Sequence, residues 1–92
     1  MVITDVKIKK INLHGPVRAI ASVTLENSFV IHEIKVVAAD KGTFVAMPSR
    51  RNHDGTYHDI AHPISHEART VLTEAVMKAF YSSTYGEGLG KP

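Results

Sequence analysis

From its second residue the chain alternates in character. Val2, Thr4, Val6 and Ile8 interleave with Ile3, Asp5, Lys7 and Lys9, the two-residue period of a half-buried strand. The alternation fails at Lys9-Lys10 and resumes with Ile11 and Leu13. One extra residue there is a β-bulge, which re-aims side chains and blunts a sheet edge. After the turn chemistry of His14-Gly15-Pro16, a second strand is expected over Arg18 to Leu25. Ala19, Ala21, Val23 and Leu25 share one of its faces, and Ile20, Ser22 and Thr24 the other. Glu26-Asn27-Ser28 suits a short hairpin loop. The third strand, Phe29 to Val37, is apolar on both sides, with Phe29 and Ile31 on one and Val30, Ile34 and Val36 on the other. Such a strand is central in its sheet or lies at a subunit contact. Asp40-Lys41-Gly42 turns the chain, Thr43 to Met47 forms a fourth strand, and Tyr57 to Ala61 a short fifth.

Pro63 stops that fifth strand, and Ser65 is a good N-cap with Glu67 in the turn that follows. Ala68, Val71, Leu72, Ala75, Val76, Ala79 and Phe80 then recur at helical spacing, with Arg69, Thr73, Glu74 and Lys78 opposite. The expected fold class is α+β: a twisted antiparallel sheet of four to five strands with one C-terminal amphipathic helix packed on it. Residues 1–82 read as a single domain and 83–92, rich in glycine, as a flexible C-terminal tail.

Composition adds bounds to this picture. With 92 residues, 43% hydrophobic and 22% charged, the chain is globular and near the small end of what folds unaided. A partner subunit covering apolar surface would add stability. There is no cysteine, so neither a disulfide nor a thiolate zinc site forms, and a reducing compartment fits. The N-terminal residues lack a signal-peptide pattern, and the longest mostly apolar stretch, Phe29 to Ala39, is interrupted by His32, Glu33 and Lys35. A cytoplasmic location with no membrane partner is expected. The net charge is only +2, but its distribution is uneven. Lys7, Lys9, Lys10 and Arg18 stand against Asp5 alone, a net +3 in the first eighteen residues, and polyanion binding responds to local field.

The nine residues Pro48-Ser49-Arg50-Arg51-Asn52-His53-Asp54-Gly55-Thr56 read as a loop, long against the usual hairpin connection of about 2–5 residues. Ser49, Arg50, Arg51, Asn52 and His53 all offer donors to an anion. The plainer reading is that two exposed arginines only aid solubility. Lys7, Lys9, Lys10 and Arg18 form a second candidate surface, although edge lysines also guard against aggregation. Six histidines raise a metal question, and His58, His62 and His66 are spaced i, i+4, i+8. A zinc-protease helix would need a glutamate where Asp59 stands, and Pro63 opposes a helix there, so no metal site is expected. With no cysteine nucleophile, no serine elbow and no glycine-rich phosphate loop, the chain is expected not to be an enzyme. No cofactor and no small-molecule substrate are expected either.

Several segments together resemble a known family. Val2-Ile3-Thr4-Asp5-Val6-Lys7-Ile8, Arg18 to Leu25 and Phe29 to Val36 are similar to the stage V sporulation protein G family of septation regulators. So, above all, are Gly42-Thr43-Phe44-Val45-Ala46-Met47-Pro48-Ser49-Arg50-Arg51 and Asp59-Ile60-Ala61-His62-Pro63-Ile64. The resemblance runs from Val2 to near Phe80. It implies a homodimer formed by strand pairing, binding to DNA and RNA, and a regulatory role in septation or sporulation-type gene expression. It also implicates the helix in nucleic-acid contact, which adds Arg69 and Lys78 as candidates. Where the family commonly has Lys-Arg, this chain has Arg50-Arg51, which keeps the charge and adds a bidentate fork. The competing reading is a protein-interaction module that recruits a partner of the cell-division or transcription machinery.

Overall fold

A computed structural model describes residues 1–84. Strands β1 (Ile3–Ile11), β2 (Val17–Leu25), β3 (Phe29–Ala39) and β4 (Gly42–Ala46) form an antiparallel sheet in sequential order. Strands β5 (Ser49–Arg51) and β6 (Tyr57–Asp59) form a separate two-stranded ribbon, and helix α1 (His66–Tyr81) follows. The α+β arrangement expected from the pattern is present. Residues 82–84 continue the helix as a wider turn, and the rest of the expected tail lies outside the described residues.

Helix α1 covers one face of the sheet. Leu72, Val76 and Phe80 pack on Ala19, Ala21, Val23, Ile34, Val36 and Met47. The small residues of β2 leave room for the larger helix side chains. Ser65 caps the helix: its Oγ accepts from the Ala68 N–H at 3.1 Å. Glu67 in the first turn and Lys78 in the last both complement the helix dipole. Val71, assigned by spacing to the buried stripe, is instead exposed, while Met77 packs against the core. The apolar stripe is wider than the strip of helix that the sheet can cover.

Irregular pairing sorts the side chains. The register of β1 on β2 shifts between Ile8 and Lys10, so the bulge expected at the lysine pair is there. Between β2 and β3, Ala21 pairs with Ile34 but Val23 with Ile31. Two steps on β2 thus match three on β3, and the extra residue falls at His32-Glu33, with Glu33 at φ 63°. This corrects the sequence reading, in which strict alternation put Ile31 and Ile34 on opposite faces. The bulge brings Ile31, Ile34 and Val36 to the helix side together. The β2–β3 connection is a tight turn with Glu26 and Asn27 both at positive φ, 51° and 52°, closed by Ser28 N–H to Leu25 C=O at 2.9 Å.

The core predicts a sharp contrast between two substitutions. Ile34 is wholly buried, so Ile34→Ala should cost about 2–5 kcal/mol. Val71→Ala on the exposed helix flank should stay within about 0.5 kcal/mol. Urea denaturation of both variants, compared at their midpoints, checks the pair.

Candidate nucleic-acid interface

The segment read as a loop from Pro48 to Thr56 is a β-hairpin. Ser49 pairs with Asp59, Arg50 with His58 and Arg51 with Tyr57. Three polar residues carry no periodic signal of a strand, and their pairing is fixed from the far side of the turn. The ribbon joins the body through buried Met47 and Pro48, and the Ile60 N–H donates to the Pro48 carbonyl at 2.7 Å.

Its turn is tightly bonded. The Asn52 N–H donates to the Thr56 carbonyl at 2.7 Å, and the Gly55 N–H to the Asn52 carbonyl at 3.1 Å. Gly55 sits at φ 89°, a conformation that side-chain-bearing residues rarely adopt. Asn52 Nδ2 donates to Thr56 Oγ1 at 3.0 Å, and Thr56 Oγ1 donates to Asp54 Oδ1 at 2.7 Å. The Thr56 N–H donates to the same carboxylate oxygen at 3.0 Å. Asn52, a candidate anion donor in the sequence, is therefore committed to the turn. Ser49, Arg50, Arg51 and His53 are exposed, and Arg50 to His53 line an open concavity. Because adjacent strand residues face opposite ways, Arg50 and Arg51 project from different sides of the ribbon. Neither forms an ion pair among the described residues.

The second surface is the face of the sheet away from the helix. Lys7 pairs with Ser22, and Lys10 with Ile20, which also pairs with Lys35. The bulge turns Lys9 to the same side, where its Nζ approaches His32 Nδ1 at 3.4 Å. Ser22 Oγ is hydrogen-bonded to that nitrogen at 2.9 Å. Lys7, Lys9, Lys10 and Lys35 thus share one face and form no ion pairs among the described residues. Sequence spacing did not single out Lys35; only the strand register places it there.

The remaining candidates are more dispersed. Arg18 is half-buried and its Nη1 donates to the Leu13 carbonyl, which ties down the β1–β2 connection. Arg69 and Lys78 are exposed on the helix. His58 lies on β6 across from Arg50, His66 opens the helix, and His62 Nδ1 donates to the Pro63 carbonyl at 3.0 Å. Among the described residues no group of three or more His, Asp or Glu side chains is arranged to hold a metal. Among them, too, no helix is long and apolar enough to cross a membrane.

The hydroxyl of Thr56 first, and then its backbone N–H, hold the Asp54 carboxyl below its ordinary value. A carboxyl lowered in the folded state stabilises the turn above the ordinary value of 3.8, and that stabilisation is lost as pH falls through the lowered value. Amide exchange at Thr56 should therefore accelerate relative to core amides on acidification below about pH 4. In Asp54→Ala the acceleration should already be present at neutral pH; NMR exchange at matched intrinsic rates reads both.

Comparisons with known proteins match almost the whole chain. The family model described as SpoVG matches residues 1–82. A protein of Heliobacterium modesticaldum named "Putative septation protein SpoVG" is 56% identical over 80 residues, covering 87% of this chain and 90% of the relative. Relatives of the same name from Clostridium perfringens and Lachnospira eligens are 50% and 47% identical, over 87% and 95% of this chain and 89% and 99% of their own lengths. With that agreement spanning both sheets and the helix, the chain belongs to the SpoVG family of septation proteins.

Proposed function

We propose that this chain is a nucleic-acid-binding regulator, acting in septation or sporulation-type gene expression, that engages DNA or RNA as a homodimer. The observation that carries the reading is the presence of two surfaces whose basic side chains form no ion pair among the described residues. One is the rigid ribbon with Arg50 and Arg51, and the other is the open sheet face with Lys7, Lys9, Lys10 and Lys35. The lysines steer and hold the phosphate backbone through counterion release, and the arginines add directional contacts. Binding rather than catalysis fits the Ser–His hydrogen bond found among the described residues. Ser22 is only 5% exposed, and its histidine nitrogen is shared with Lys9, an arrangement without an accessible nucleophile.

The dimer draws support from the edge of β3. Strand β4 pairs only with Lys35 to Ala39, so Phe29 to Glu33 keep a free edge, and Val30 to Glu33 line a groove with Ser49 and Ile60. Phe29, Val30 and Ile60 expose 74%, 47% and 69% of their surface there. A free strand edge flanked by apolar side chains favours pairing with a second chain.

Two measurements test the reading. Sedimentation equilibrium at micromolar concentration should give twice the chain mass, and Val30→Lys should shift it toward monomer; a wild-type monomer sinks the dimer. Fluorescence anisotropy across a salt series should show wild-type binding, with Arg50→Ala/Arg51→Ala weaker and its log–log salt slope shallower by about 1–2. Absence of binding by the wild type at low salt would overturn the nucleic-acid reading and turn the search to a protein partner.

A further inference from the structure

The two sides of the β5–β6 ribbon differ in chemistry. Backbone bonds at Asn52–Thr56 and Pro48–Ile60 set the alternation along this antiparallel pair. Arg50–His58 is accordingly a hydrogen-bonded pair, and Arg51–Tyr57 and Ser49–Asp59 are the pairs whose side chains stand closest. One side therefore shows Arg50 and His58. The other shows a guanidinium, a phenol ring, a carboxylate and a hydroxyl within neighbouring positions.

The ribbon is not a general polyanion clamp. Arg50 and Arg51 are matched in number by Asp54 and Asp59, and Asp59 shares a face with Arg51. A carboxylate there repels phosphate but accepts from the exocyclic amino groups of bases. Tyr57 is 66% exposed and joins no ring pair or hydrogen bond among the described residues. It is held, with Arg51 beside it, on a ribbon whose turn is fixed by five hydrogen bonds. An exposed ring with a flanking guanidinium is a platform for an unstacked base, and a duplex keeps its bases stacked.

Resting on the nucleic-acid reading above, we infer that the Arg51–Tyr57 side of the ribbon binds a base of a single strand. Tyr57 stacks on the base, Arg51 and Asp59 meet its edge or the adjoining phosphate, and Arg50 with His58 follows the backbone on the other side. The ligand class is single-stranded RNA or DNA, with duplex held only through the sheet lysines.

The full chain and its Tyr57→Leu and Tyr57→Phe variants would be titrated into a labelled twelve-nucleotide single strand and into the duplex of the same sequence. Tyr57→Leu should lose single-strand affinity on the order of tenfold, leave duplex affinity within about twofold and keep the salt slope, since no charge is removed. Tyr57→Phe should bind the single strand as the wild type does. Thermal melts confirm that both variants fold, as expected for an exposed position. Equal losses on single strand and duplex, no loss in Tyr57→Leu, or an equal loss in Tyr57→Phe each overturn the stacking role while leaving the nucleic-acid reading standing. Wild-type failure on both ligands overturns the two together.

Discussion

The four-stranded sheet is covered on one side only, and everything else in the molecule follows from how side chains are divided between its faces. A flat, regular pairing would not achieve that division with this sequence. Along β3, a two-residue period sends Ile31 and Ile34 to opposite sides; along β1, it splits Lys9 from Lys10. The register shifts at Ile8/Lys10 and at His32-Glu33 gather Ile31, Ile34 and Val36 under the helix and Lys7, Lys9 and Lys10 on the open face. The cost is borne at Glu33, a non-glycine residue in the left-handed region, a conformation worth on the order of 1 kcal/mol of strain. Burial of Ile34 and Val36, both fully enclosed, offsets it, since each such side chain contributes about 1.5–3 kcal/mol. One irregularity thus serves the core and the other the surface charge.

The ribbon solves a different problem. Two three-residue strands are too short to hold themselves together in water. Here the turn contributes its own network, in which Asn52, Asp54 and Thr56 bond one another through side chain and backbone. At the other end Met47 and Pro48 are buried in the body. Rigidity at both ends means that Arg50 and Arg51 are presented without the ordering cost that a floppy loop would meet on binding.

The sequence made some of this legible and concealed the rest for identifiable reasons. The helix and its Ser65 cap, the inner face of β2 and the Lys9-Lys10 bulge all leave local marks: a 3.6-residue period, a capping side chain, a broken alternation. The β3 bulge leaves none, because a strand apolar on both sides has no alternation to break. Strand β5 was hidden in a run of polar residues whose pairing is decided by Tyr57 to Asp59 beyond the turn. Arg50 and Arg51 stood out as a basic pair, but their projection to opposite sides is a property of a strand and not of a loop. Lys35 joins the basic face only through its register with Ile20 and Lys10.

The distribution of charge separates two tasks that a basic surface can perform. The open sheet face carries Lys7, Lys9, Lys10 and Lys35, so it contributes most to the long-range field, and that contribution fades with added salt because each released counterion then gains less entropy. The ribbon, with as many carboxylates as arginines, contributes little to that field. What it offers is direction: planar guanidiniums, a ring and hydrogen-bonding groups at positions fixed by strand pairing. Attraction without selectivity and selectivity without much attraction thus reside on different elements. On the proposed reading a net charge of only +2 suffices, because a larger total charge would strengthen the indiscriminate part alone.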